Sequence, residues 1–85
     1  MTYWVYILQS EVTKKYYIGS TGNMEDRLRR HNGGRSKSTK SGVPWKLMYT
    51  EGYSERPRAV GREKQLKRWK SRVKLEELIK NNLAQ

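Results

Sequence analysis

The sequence predicts an α/β (α+β) fold: a small three-stranded sheet flanked by helices, in the order β-β-α-β-α-α. Three observations carry that prediction. Aromatic and β-branched runs at Tyr3–Leu8 and Tyr16–Ile18 are separated by a short polar stretch, as in a hairpin. A third such run, from Pro44 to Tyr53, follows a capped, helix-like segment. The last third of the chain places apolar residues three and four apart, the period of amphipathic helices. Eighty-five residues correspond to one domain, residues 1–85, and a chain this short favours a simple fold.

The first strand is Thr2–Ser10, whose unbroken apolar run suits a central strand covered on both faces. Tyr6 shares a face there with Trp4 and Leu8. Glu11–Lys15 is a polar turn and Tyr16–Ser20 the second strand, with Gly19 allowing a turn or a close ligand approach. Asn23 caps a helix from Met24 to about His31, with Glu25 and Asp26 in its first turn. Met24, Leu28 and His31 line one side, and Arg27 lies beside them, one turn before His31. Asn32-Gly33-Gly34 ends the helix, and Arg35–Gly42 reads as a mobile loop. Pro44–Tyr53 is the third strand, with Trp45, Leu47 and Tyr49 in one alternating set of a small mixed sheet. Ser54 and Pro57 open a helix, about Glu55–Trp69, whose stripe is Ala59, Leu66 and Trp69 flanked by Val60. Ser71 caps a final helix to about Asn82, with Val73, Leu75, Leu78, Ile79 and Leu83 packing on the domain or on a partner helix.

Composition narrows the function. No cysteine is present, which excludes disulfides, zinc thiolates and a thiol nucleophile. One histidine argues against a multi-histidine metal site. The strongest apolar run is too short for a membrane span or a signal segment, so a cytoplasmic protein is expected. The formal charge of +11 favours a polyanion, nucleic acid first, with a merely solvated surface or anionic lipid as the alternatives. Arg35, Lys37 and Lys40 in the loop, and Arg62 and Lys67 on the second helix, are the candidate phosphate contacts.

Two groups of residues conflict with a plain core. Tyr6 and Tyr17 on paired strands, beside Arg27 and His31, can surround one small anion; ordinary strand packing accounts for the tyrosines equally well. Glu63 falls inside the apolar stripe, four after Ala59 and three before Leu66. An inward carboxylate is costly unless it is paired or metal-bound, and such local conflicts tend to mark function. A salt bridge to a nearby Arg or Lys is the alternative.

Val5-Tyr6-Ile7 and Tyr17-Ile18-Gly19 resemble the two motifs of the GIY-YIG nuclease superfamily. Tyr6 matches the tyrosine of the first motif, Arg27 the helix arginine, His31 the position one turn later, and Glu63 the metal-binding glutamate. Arg62-Glu63-Lys64-Gln65-Leu66-Lys67, followed by Trp69, resembles a small stand-alone bacterial subfamily of uncharacterised proteins. The likeness covers roughly residues 2–80. Trp4 departs from the usual glycine of the first motif, and Ser20 from the lysine that excision-repair and some restriction members carry.

The resemblance implies a GIY-YIG endonuclease-like fold and hydrolysis of DNA phosphodiester bonds, directed by structure or damage and not by sequence. It implies one divalent ion, Mg²⁺ or Mn²⁺, with Glu63 as its protein ligand, and no small-molecule cofactor. Arg27 then stabilises transition-state charge, and Tyr6, Tyr17 or His31 handles the proton. Asn23 and Asn32 are secondary candidates. Two other readings stand beside it: a non-catalytic nucleic-acid-binding module, and a basic adaptor of a repair or RNA complex.

Overall fold

The computed structural model describes residues 1–34 and 37–83, apart from the side chains of residues 82 and 83. Strands β1 (Tyr3–Ser10), β2 (Tyr16–Thr21) and β3 (Trp45–Tyr53) form one sheet in the order β2-β1-β3. Helices α1 (Met24–Asn32), α2 (Arg56–Trp69) and α3 (Arg72–Leu83) flank it, and the element order is the one the sequence predicts. Both neighbours of β1 run antiparallel to it. The sheet is therefore antiparallel throughout and not mixed. β2 and β3 do point the same way, but β1 lies between them and the α1 connection carries the chain across it.

The two sheet faces are packed differently. Val5, Ile7 and Ile18 bury against Ala59 and Leu66 of α2 and Leu75 and Ile79 of α3. Tyr6 and Leu8, which alternate with Val5 and Ile7 along β1, join Trp45 on the opposite face with Met24 and Leu28 of α1. Each fully buried aliphatic side chain contributes about 1.5–3 kcal/mol, so the first face supplies most of the aliphatic stabilisation.

Several expectations change in detail. Ile7 pairs with Tyr49 but Leu8 pairs with Leu47, so Met48 is an extra residue in β3. This β-bulge reverses the alternation. Leu47 stays with Trp45, whereas Tyr49 turns to the α2–α3 face, not into one set with them. Glu55, not Ser54, occupies the N-cap of α2, without a side-chain capping bond, and Pro57 lies in the first turn. Val73 is 64% exposed and outside the core. The segment read as a mobile loop is anchored at its end. Thr39 is fully buried before a 3₁₀ turn at Lys40–Gly42, and the Ser10 hydroxyl donates to the Gly42 carbonyl at 2.6 Å. Arg35 lies outside the described residues.

Candidate active site

Most of the sequence-predicted residues meet around the β1–β2 hairpin and α1. Tyr6 stands opposite Gly19 in the strand pairing. A Cβ at Gly19 would overlap the Tyr6 hydroxyl, so this glycine leaves the room that Tyr6 fills. The Asn23 side chain accepts the Asp26 N–H at 3.1 Å and starts α1, as predicted. The helix then carries His31 under the sheet, where its Nε2 lies 3.1 Å from the Tyr6 hydroxyl. The Tyr17 ring packs edge-on against the His31 ring, with centroids 4.8 Å apart, and 6.4 Å from the Tyr6 ring.

Behind His31 is a network that sequence reasoning missed. His31 Nδ1 lies 2.9 Å from the Thr39 hydroxyl. The Thr39 carbonyl accepts the Trp45 indole N–H at 2.7 Å. The Asn32 side chain accepts the Trp45 backbone N–H at 2.6 Å and donates to the Trp45 carbonyl at 3.1 Å. Asn32 therefore ties α1 to β3 as well as standing at the helix end. The chain from Tyr6 through His31, Thr39 and Trp45 to Asn32 fixes the imidazole plane. Nothing local distinguishes Thr39 within its Ser/Lys/Thr-rich run; only the buried polar partner across the fold does.

Electrostatics follow from burial. His31 is 3% exposed, and desolvation, with Arg27 adding to it, lowers its pKa below the usual 6.5, so the imidazole is neutral at pH 7. Desolvation likewise pushes the Tyr6 hydroxyl up to about 12, with Tyr17 and Glu63 adding to the rise and Arg27 opposing it. Arg27 thus acts on Tyr6, on His31 and on Glu63.

Glu63 reaches the hairpin from the other face. It is half-buried on α2 beside β2. The Ser20 hydroxyl donates to its Oε1 at 2.6 Å, and the Lys67 ammonium, one turn on, lies 2.6 Å from Oε2. Burial alone would raise the Glu63 pKa; Lys67 and Ser20 outweigh it and hold the carboxylate below its usual value. The salt bridge that the sequence offered for Glu63 is therefore present, on a half-buried carboxylate. Ser20 is the partner the sequence did not reveal.

A cleft of about 260 Å³ adjoins these groups, lined by Ser20, Gly22 and Arg27 together with Tyr3, Arg56 and Ala59. It holds two guanidinium-bearing residues and no acidic one. Among the described residues no cluster of three His, Asp or Glu is placed to hold a metal, so Glu63 is the one carboxylate of the predicted site. Its fit to a hard divalent cation can be judged from its surroundings. One oxygen is oriented by Ser20, and the other already accepts the positive charge of Lys67. The Lys67 side chain is 51% exposed, and such a pair yields at little cost. A single oriented carboxylate suits a hard divalent cation that takes oxygen ligands.

Of the candidate phosphate contacts, Lys37 and Lys40 are exposed. Arg62 points elsewhere. Its guanidinium bonds both Glu51 carboxylate oxygens, at 2.9 and 3.0 Å, and lies over the Trp69 ring. The Tyr49 and Tyr53 hydroxyls also donate to Glu51. Arg62 is thus part of a structural network on the α2–α3 face, because Val5 brings Glu51 to that face in register.

The chain belongs to a class that nearly its whole length matches. Residues 2–81 match the GIY-YIG catalytic domain, a family of nucleases. Within that family the chain is similar to the small UPF0213 proteins. It is 38% identical over 80 residues to one from Streptococcus pneumoniae, covering 93% of this chain and 79% of the relative. The solution NMR structure of a UPF0213 protein from Bacillus halodurans superposes with a TM-score of 0.59 at 30% identity, covering 94% of this chain and 84% of that one. A structure-specific endonuclease subunit SLX1 homolog from Cryptosporidium parvum is 44% identical over 63 residues, which is 68% of this chain and 15% of that protein. No helix among the described residues is long and apolar enough to cross a membrane.

Proposed function

We propose that this protein is a metal-dependent endonuclease that hydrolyses DNA phosphodiester bonds and selects its target by structure or damage and not by sequence. One observation carries the reading: Arg27 of α1 lines a cleft of about 260 Å³ together with Ser20 of β2, whose hydroxyl donates to the Glu63 carboxylate of α2. A phosphate in that cleft meets Arg27 and Arg56 and lies beside Ser20, the partner of the carboxylate that would hold the metal. The relationship to a structure-specific endonuclease subunit supports the choice of target. The net charge of +11 supplies affinity that does not depend on sequence.

When bound at Glu63, a divalent ion supplies Lewis-acid charge and lowers the pKa of water. The protein does the rest. Arg27 neutralises charge that grows on the phosphoryl oxygens. Ser20 keeps the Glu63 carboxylate in one orientation. Tyr17 is half-buried while Tyr6 is 1% exposed, so Tyr17 is the tyrosine that solvent meets. Tyr17 orients the attacking water and accepts its proton while releasing its own to solvent. Tyr6, with a pKa of about 12, stays protonated and works as a spacer between His31 and Arg27. His31 holds Tyr6 and is itself held by Thr39.

The test is cleavage of labelled duplex, flap and branched DNA with Mg²⁺, with Mn²⁺ and with chelator. Wild type should cut flap or branched DNA only with metal. Tyr17→Phe should lose on the order of 10²–10⁴-fold, the range for a positioned proton acceptor, with an unchanged thermal midpoint. Wild-type rates for Tyr17→Phe, with loss confined to Tyr6→Phe, would move the proton to Tyr6.

A further inference from the structure

The free edge of β2 carries a second space that the cleft does not use. β2 is an outer strand. The 260 Å³ cleft lies against its far end, at Ser20–Gly22. Against its start lies a wider groove of about 500 Å³, between residues 15–18 and the corner where α2 meets α3. Lys67 lines this groove and pairs with Glu63, which accepts from Ser20 of the cleft, so one run of contacts joins the two. Tyr16 to Thr21 covers about 17 Å of extended strand.

The groove combines two chemistries. Its apolar part is built from the buried Ile18, Leu66 and Leu75 and the half-buried Tyr16. The Arg72 guanidinium lies 4.9 Å above the Tyr16 ring. Its cationic part is Lys15, Lys67, Lys70 and Arg72, and no acidic side chain lines it. Glu76, one turn beyond Arg72, pairs with that arginine at 3.4 Å outside the lining. Lys70 ends α2 in the left-handed region, at φ 47°. Glycine is the usual residue there, because a Cβ is disfavoured; a lysine at this corner puts a charge on the groove instead. A duplex offers such a surface mainly its phosphates and would leave the apolar part unfilled. An unpaired strand offers charge and base faces together.

We infer that this groove binds unpaired nucleotides flanking the scissile phosphate, a base resting on the Arg72 guanidinium stacked over Tyr16 and on its apolar neighbours, and the backbone on Lys15 and Lys70. The inference rests on the nuclease reading above and deepens it. The preferred substrate carries a single-stranded segment beside the bond that is cut.

Fluorescence anisotropy decides it, with a blunt duplex, the same duplex bearing a single-stranded tail, and a short single strand. The proteins are wild type, the double variant Lys15→Gln/Lys70→Gln, and Tyr16→Leu, with folding checked by circular dichroism. Wild type should bind the tailed duplex at least about fivefold more tightly than the blunt one, the lower range for one stacked base. Both variants should lose that preference, and in the double variant the salt slope for the short single strand should fall by about 1.4. In the wild-type protein, titration with tetrathymidylate should move the backbone amides of Tyr16, Ile18, Ser71 and Arg72. Equal binding of both duplexes by wild type, or retained preference in the double variant, overturns the inference. If wild type still cleaves with metal in that event, the nuclease reading survives alone. If it neither binds nor cleaves, both fail. An acidic peptide that moves the same amides, with no preference for the tail, would assign the groove to a protein partner instead.

Discussion

The two faces of the sheet are made from the same strand and have opposite characters. On the α2–α3 face, Val5 and Ile7 meet aliphatic partners, and the Glu51 carboxylate is satisfied by Arg62 and two tyrosines. On the α1 face, Tyr6 meets Tyr17, His31 and Trp45, and a polar chain runs back through Thr39. The first face gains stability from area. The second gains orientation from hydrogen bonds whose loss leaves buried groups unpaired. Glu63 is the exception that joins them: it stands on the apolar side but turns to Ser20, Arg27 and the cleft. Stability and proposed chemistry are thus largely assigned to different faces, and they should be separable by mutation.

The largest effect should come from the apolar face. Ile79 is 5% exposed and lines neither the cleft nor the groove, and Ile79→Ala should cost about 2–5 kcal/mol in urea unfolding. The protein that remains folded should cleave at the wild-type rate when assayed well below the unfolding midpoint. On the α1 face the balance should reverse. Thr39→Val keeps the volume but strips His31 Nδ1 of its partner, at a cost of about 1–3 kcal/mol. Its cleavage rate should fall further than its stability does, because the imidazole that holds Tyr6 is no longer fixed.

A smaller effect comes from acid, and it separates the faces by pH. The folded pKa of His31 is depressed, so the unfolded chain binds more protons below about 6.5. The stability from its neutral burial is present above pH 6.5 and is lost as pH falls through the folded value. Glu51 is also depressed: burial would raise it, but Arg62 and the two tyrosine hydroxyls outweigh that. Its contribution is present above about 4.5 and is lost below. Urea midpoints should therefore fall in two stages, and His31→Gln should remove the upper stage alone. A single stage near pH 4.5 in wild type would mean that His31 is not buried as described.

These faces were unequally legible in the sequence. Helix and strand positions followed from capping residues and apolar spacing, and Asn23 and Ser71 cap as expected, the latter accepting the Lys74 N–H at 3.3 Å. The division of β1 between its faces was not assignable to particular neighbours, because the strand is apolar on both sides and alternation is hidden. The bulge at Met48 was invisible for the same reason, and it sent Tyr49 and Glu51 to the face where they capture Arg62. Arg62 looked like one cation among many; its partner lies eleven residues earlier on another element. Tyr6, Tyr17, Arg27, His31 and Glu63 could be named from motif and stripe. The Ser20–Glu63 and Thr39–His31 contacts arise only when strands and helices close on each other, whereas Lys67–Glu63 is a pair one turn apart on α2, the salt bridge that the sequence offered.

The most direct test of this division is Glu63→Gln, which keeps the shape of the carboxylate and removes its charge. Stability and metal-dependent DNA cleavage should be measured on the same preparation as wild type. The account predicts a thermal midpoint close to wild type, because Glu63 is half-buried and its ion pair with Lys67 is exposed. It predicts cleavage indistinguishable from the chelator control at every Mg²⁺ and Mn²⁺ concentration. Wild-type cleavage by Glu63→Gln, or cleavage by wild type that chelator does not diminish, would contradict it.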